Sequence, residues 1–485
     1  MCSRVRKFFL VIISISFLSF AILPVEAESM RLVRLQSESG PRRNLKKIYD
    51  RKLKRIRYFK DQVVVKFKQG ANPASIRKYM ALNNLEPIAK LGKRSYACKV
   101  MTLGDDDAVD NLMTTTSIEE LVEYLDIDEY REIKTGSSWG RTLGARVSRE
   151  PQNLFKLEWH LYNDGENGIK ESADANIQEA WSLSKGSGVK IAVIDTGFDL
   201  KHPDINYDGI GYDVPNNRPG ATAPLRSIER HGTAVAGVIA AKDDGMGVVG
   251  VAPESSIIPI RLLDDSGACS VSSIILAHQK AVELGAQIIN NSWGSVGSEE
   301  LTQLEKDLYK ELYEEANNGK GVLVIFASGN ARVSNLNYAP EARDSSTMAV
   351  GATDSSDKRA AYSNYGVGLD LVAPGGDSVK GILTTDRTDV QIKEGTRSKM
   401  HILGYVKGDT TNVFTGTSAA APIVAGVAAL VWSANPTLTA KQVREILNTS
   451  AKKLDAYEFD ADGLNAEVGH GRVDAKAAVD LALTY

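Results

Sequence analysis

The sequence predicts an α/β protein in which a doubly wound, mainly parallel sheet over residues 154–485 is preceded by a small α+β domain over 61–133. Three observations carry this. Beyond Leu154, continuous apolar runs at 189–194, 257–263, 288–289, 322–326 and 369–372 alternate with helix-like segments at 232–241, 272–284, 302–318 and 419–434. Strands without polar alternation are buried on both faces, and helices on either side of a parallel sheet supply that burial. Between 61 and 133, short strand-like and helix-like segments succeed one another without such long runs. Finally, 485 residues with 43% hydrophobic and 25% charged side chains form ordinary globular material, long enough for about three units at roughly 150 residues each.

In chain order, Arg4, Arg6 and Lys7 precede an apolar run over 8–23, and Val25-Glu26-Ala27 places small residues where a signal peptidase reads. That run is shorter than the roughly 20 residues that span a bilayer, so residues 1–27 are expected to be a cleaved secretory signal and the protein to be secreted or otherwise extracytoplasmic. Residues 28–60 hold twelve Lys and Arg against Glu28, Glu38 and Asp50 with little apolar periodicity, which predicts a solvated, flexible basic arm. Attraction to a surface or partner is the alternative role for such charge. The first 60 residues carry fifteen basic and four acidic side chains, a net of +11, against −3 for the whole chain. The remainder is therefore acidic, and nucleic-acid binding is not expected.

The small domain reads as strand 63–67, helix 73–83, strand 95–101, helix 105–120 and strand 122–133. A linker follows over 134–153, with Gly136, Gly140 and Gly144 among Arg141, Arg146 and Arg149. Gly136-Ser137-Ser138-Trp139-Gly140 matches the G-x-S-x-G pattern, but no buried strand precedes it and no helix follows it, so it is not expected to carry a nucleophile. Only Cys2, Cys98 and Cys269 are present, at no metal-ligand or redox spacing. The apolar stretch 419–434 is rich in Ala and Gly and reads as a buried helix, leaving no membrane span after the signal.

Ligands of such a sheet sit beyond the carboxyl ends of its strands, so polar residues that end apolar runs come first. Asp195 ends Val189-Lys190-Ile191-Ala192-Val193-Ile194-Asp195, His231 opens a Gly- and Ala-rich helix, and Ser418 stands where the 419–434 helix begins. Each alone reads more readily as a turn, cap or other structural residue. Together they are the types that nucleophilic catalysis needs, since a serine requires a base within hydrogen-bond reach and the base a carboxylate to hold its tautomer.

Asp195-Thr196-Gly197, His231-Gly232-Thr233-Ala234-Val235-Ala236-Gly237 and Gly416-Thr417-Ser418-Ala419-Ala420-Ala421-Pro422 resemble, in that order, the motifs of the subtilisin-like serine proteases, over roughly 159–483. The resemblance implies a self-processing zymogen that cleaves protein or peptide substrates. Asp195 would be the orienting carboxylate, His231 the general base and Ser418 the nucleophile. Asn330, in Ala327-Ser328-Gly329-Asn330, matches the family's side-chain oxyanion donor. Ser292-Trp293-Gly294 resembles the extended segment that pairs with substrate backbone, although a tryptophan there also suits the core. The 61–133 domain would serve as intramolecular chaperone and inhibitor. Calcium is the implied cofactor, held by Asp204, Asp244 and the carbonyls of Met246 and Val248, although Asp243-Asp244-Gly245 is also a common exposed turn. His160, His202, His278, His401 and His470 are expected to be structural. Two other functions fit less well: a kexin-type processing protease, against which Thr196 stands where those enzymes carry an acid, and a silent binding module, against which all four catalytic positions are intact.

Overall fold

The computed structural model describes residues 30–32, 46–50, 55–91, 94–101, 121–135, 154–165, 168–222, 229–263, 267–295, 300–334, 339–388 and 410–485. The expected signal (1–27), the helix at 105–120, the linker beyond Thr135 with its G-x-S-x-G match, and His401 lie outside them.

The N-terminal sheet is antiparallel. Its strands are β1 (Met30–Leu32), β2 (Lys46–Asp50), β3 (Arg55–Phe67), β4 (Leu85–Lys90), β5 (Ser95–Val100) and β6 (Val122–Thr135), with helix α1 (Pro73–Leu82) between β3 and β4. Helix α1 starts where the sequence signals it, with Asn72 accepting from the Ser75 N–H at 2.9 Å and Pro73 in the first turn. Val63, Val65, Phe67, Ile76, Tyr79 and Ile127 form its small core. Strand pairing also reaches back into the stretch expected to be a flexible arm, through β1, β2 and the first residues of β3. Main-chain pairing needs no apolar periodicity, which is why composition gave no sign of it. Strand β4 contains Pro87 and lies at the sheet edge, the position that tolerates a missing N–H.

The larger domain is built on β7 (Lys190–Asp195), β8 (Tyr212–Asp213), β9 (Arg218–Pro219), β10 (Ser256–Arg261), β12 (Ile288–Asn291), β14 (Leu323–Ala327), β15 (Met348–Thr353) and β16 (Leu371–Pro374), ordered β16-β15-β14-β12-β7-β10-β8-β9. All neighbours run parallel except the β8–β9 pair. Two short strands, β11 (Ala268–Ser270) and β13 (Trp293–Ser295), stand apart from this sheet. A separate antiparallel pair joins β17 (Ile382–Thr385) to β18 (Thr410–Phe414).

Helices cover both faces: α2 (Ile177–Ala180), α3 (His231–Ala240), α4 (Val271–Glu283), α5 (Gln303–Glu314), α6 (Pro340–Arg343), α7 (Thr417–Ala434), α8 (Ala440–Thr449) and α9 (Ala475–Ala482). Two apolar clusters result. One joins α3, α7 and α9 to Ile191, Val193, Ile325 and Val350; the other joins α4 and α5 to Ala192, Ile194, Ile289 and Val324. Successive residues of a strand thus feed opposite layers. Helix α7 is long and apolar enough to cross a membrane, but it lies inside the domain, as its Ala-rich composition predicts.

Close helix packing rests on absent side chains. A Cβ at Gly426 of α7 would fall 2.5 Å from the Val251 Cβ. Gly426→Ala is expected to lower folding stability by about 1–3 kcal/mol through overpacking, read as a lower midpoint in chemical denaturation.

Candidate active site

Asp195 is the last residue of β7 and is fully buried. An unpaired carboxylate there would be costly, and two donors answer it. The Thr196 N–H donates to Oδ1 at 2.7 Å, and His231 Nδ1 lies 2.9 Å from both oxygens. Nδ1 is therefore the protonated nitrogen, and Nε2 has no hydrogen-bond partner. His231 reaches this position because α3 begins with it and Gly232 follows. A Cβ at Gly232 would meet the Gly197 carbonyl oxygen at 2.6 Å, so any larger residue would push the helix off the Asp195 loop. Arg261, buried at the end of β10, braces both sides: Nε donates to the Thr196 carbonyl at 3.2 Å, while Glu229 at 3.4 Å and Asp213 at 3.0 Å accept from the same guanidinium.

Ser418 is the second residue of α7, after Gly416 at φ 114°, a conformation open to glycine. Its Oγ donates to the Ser292 carbonyl at 2.8 Å rather than to His231, and the Ser292 Oγ donates back to the Ser418 carbonyl at 3.0 Å. The His231 ring stands edge-on to Phe414, four residues before the serine, at 5.5 Å between centroids. Hydrogen bonds of this kind are often unmade without substrate, so a serine turned onto Ser292 is compatible with a base at His231.

Asn330 follows β14. Its Oδ1 accepts from the Thr417 N–H at 3.0 Å and the Thr417 Oγ at 2.9 Å, which leaves Nδ2 as the group to donate beside Ser418. The loop is held by Asn364, which sequence reasoning passed over. Asn364 Oδ1 accepts from the Ala331 and Val333 N–H groups at 2.9 and 3.2 Å, and its Nδ2 donates to the Ser328 carbonyl at 2.8 Å. An internal asparagine with no neighbouring motif offers no signal for this.

Ser292-Trp293-Gly294 does two things at once. The Trp293 side chain is core, with Nε1 donating to the Ile194 carbonyl at 2.8 Å and the ring edge-on to Phe326. Its main chain forms β13 and pairs antiparallel with β6: Trp293 opposite Thr135, Gly294 opposite Lys134, Ser295 opposite Ile133. On its other side β6 pairs with β11, with Arg131 opposite Cys269. The last strand of the N-terminal domain thus runs two residues beyond the expected end at 133 and lies between β11 and β13, the latter directly after Ser292, whose carbonyl Ser418 contacts. Asp128 of the same strand caps α4, accepting from the Ser272 N–H at 2.9 Å and Oγ at 2.6 Å.

At the loop expected to hold calcium, a Cβ at Gly247 would lie 2.7 Å from Asp204 Oδ2, so only a glycine lets the loop close on that buried carboxylate. Val248 is buried, whereas Asp244 is exposed and accepts from the Met246 N–H at 3.1 Å. Glu158, which the sequence did not single out, is buried beside this loop and accepts from the Val249 N–H at 2.9 Å. Burial, with Asp204 nearby, pushes its carboxyl well above the ordinary range. Of the two expected carboxylate ligands Asp204 is buried and Asp244 exposed, and among the described residues no group of three or more His, Cys, Asp or Glu side chains gathers as a metal site, so a calcium ion here would depend largely on main-chain oxygens. Of the other described histidines, burial lowers His160 to about 3 and His278 to about 4, and His202 Nδ1 accepts from the Asp204 N–H at 3.2 Å.

The family model described as "Subtilase family" matches residues 186–471, more than half of the chain and a span that contains Asp195, His231, Asn330 and Ser418. The chain belongs to the subtilase family. This subtilase is 31% identical to an alkaline protease of Alkalihalobacillus alcalophilus over 79% of its own length and 93% of the relative's. It is 33% identical to a calcium-dependent protease of Trichormus variabilis over 68% of its length, and there it spans only 52% of the longer relative. Fervidolysin of Fervidobacterium pennivorans superposes with a TM-score of 0.64 over 87% of this chain and 61% of that one, at 23% identity, a likeness of fold.

Proposed function

We propose that this subtilase is a secreted serine endopeptidase made as a self-processing zymogen. The observations that carry the reading are the Asp195–His231 pair, with its bare Nε2, on a helix packed against the one that carries Ser418, and the extended strand paired beside Ser292, whose carbonyl Ser418 contacts. Ser418 Oγ attacks the substrate carbonyl and His231 Nε2 takes its proton, while Asp195 keeps the ring in the Nδ1-protonated tautomer and stabilises the imidazolium. The oxyanion accepts from Asn330 Nδ2 and from the Ser418 N–H, where the amino end of α7 also favours negative charge. Collapse breaks the C–N bond, the amine leaves with the proton from His231, and an ester on Ser418 remains. Water, deprotonated by His231, hydrolyses it. Main-chain pairing with Trp293 and Gly294 positions the substrate and accepts many sequences.

The 61–135 domain is read as a propeptide whose final strand occupies the substrate's place. Thr135, the last described residue of β6, lies opposite Trp293, one position from Ser292, whose carbonyl Ser418 contacts, so the cut is proposed just beyond it, between Gly136 and Ser137. Calcium, held by Asp204, Asp244 and the carbonyls of Met246 and Val248, would tie down the loop; the relatives named as calcium-dependent proteases support this.

Ser418→Ala is expected to abolish proteolysis and leave the full precursor, and N-terminal sequencing of the wild-type product should begin at Ser137. A mature-sized product from purified Ser418→Ala would contradict the assignment. Asn330→Ala should lower kcat by about 10²–10³ with KM little changed, a magnitude carried over from a subtilisin's own oxyanion asparagine. Calcium at 100 times its Kd should stabilise the mature enzyme by about 2.7 kcal/mol. Chelation should therefore lower its melting temperature, and Asp244→Ala should erase the difference.

A further inference from the structure

Arg131 of β6 is buried against the larger domain among charged groups. Its Nη1 and Nη2 donate to Glu305 Oε1 at 2.6 Å and Oε2 at 3.0 Å, and Glu341 Oε1 and Glu129 Oε2 each stand 3.7 Å from the guanidinium. Glu305 and Glu341 are fully buried. Both belong to the larger domain: Glu305 lies in the first turn of α5 and Glu341 in α6. Glu341 is tied to β13, since the Ser295 N–H donates to it at 3.3 Å and the Ser295 hydroxyl also donates. Alternate residues of a strand share a face, so Arg131 and Ile133, which is buried in the apolar cluster of α4 and α5, read the same wall two positions apart.

We propose that Glu305 and Glu341 form an acidic subsite of the cleft that takes a guanidinium from the sixth residue before the cleaved bond: first that of Arg131 in the chain's own β6, then that of an arginine in peptide substrates. The count of six rests on the peptidase reading and its cut between Gly136 and Ser137. When the N-terminal domain leaves, the two carboxylates lose their counter-charge. An apolar side chain in that position would cover them with no counter-charge, and an acidic one would be repelled. Lysine offers a single point charge in place of the two-pronged fork that Glu305 receives.

Glu305 also closes a capping box with Thr302, accepting from its N–H at 2.8 Å. The equivalent box of α8 uses Gln442, so Glu305→Gln removes the charge and keeps a cap of a kind this fold already contains. The test has two arms. In full-length Ser418→Ala, which needs no catalysis, Arg131→Met should speed amide hydrogen exchange of residues 131–135 at least about tenfold, as should Glu305→Gln. In the mature enzyme, quenched peptides copying residues 129–140 with Arg, Lys or norleucine at position 131 should be cleaved in that order of kcat/KM. Arg should exceed norleucine at least about tenfold, and the ratio should fall to within about threefold in Glu305→Gln. Unchanged exchange, or equal cleavage of the Arg and norleucine peptides, overturns the subsite. If no peptide is cleaved, the peptidase reading and the substrate half of the proposal fail together, and the exchange arm alone decides the seat for Arg131.

Discussion

A carboxylate withdrawn from water must find a partner, and the position of Asp195 at the buried end of a central parallel strand imposes that rule on everything around the site. His231 satisfies it at 2.9 Å. To do so α3 must start against the Asp195 loop, which requires Gly232, and the loop itself is braced by Arg261 between Asp213 and Glu229. The same rule recurs away from the centre. Arg444 answers Asp370, with Nε donating at 2.8 Å, and Arg131 answers Glu305. In the second pair the cation belongs to a segment that the proposed processing would remove.

The scaffold explains why these groups meet. β7, β12 and β14 run parallel, so their carboxyl ends put Asp195, Ser292 and Asn330 at one edge of the sheet. Helix α7, packed across the sheet by small residues, brings Ser418 to that edge. A strand laid between β11 and β13 then has its main-chain hydrogen bonds satisfied on both sides, and under the proposed function β6 would be both a template for substrate and an obstacle to it. Asp128 at the start of α4 and Arg131 on Glu305 anchor the same strand to the larger domain.

Much of this was legible in the sequence, for local reasons. The buried strands announced themselves as apolar runs, and Asp195, His231 and Ser418 each sat at an element boundary beside the glycines that permit close packing. What escaped depends on contacts between distant residues. Arg131 and Glu305 are 174 positions apart, and neither lies in a motif. Asn364 holds the Asn330 loop from a turn with no periodicity to flag it. Strand β15, with the sequence Met-Ala-Val-Gly-Ala-Thr, is short and rich in small residues and gave too weak an apolar signal. Strands β2 and early β3 are basic, and their main-chain pairing leaves no hydrophobic trace. Trp293 was open to two readings, core or substrate pairing; its side chain is core, and its main chain pairs with β6 of the same chain.

The central claim is that Ser418 is a nucleophile made reactive by His231. Reaction of the mature enzyme with diisopropyl fluorophosphate, followed by peptide mapping, tests it most directly. The account predicts one phosphoryl adduct, on Ser418, and a labelling rate lower by at least about 10³-fold in His231→Ala cut in trans by the wild-type enzyme. An adduct on another residue, or His231→Ala labelled as fast as the wild type, would contradict it.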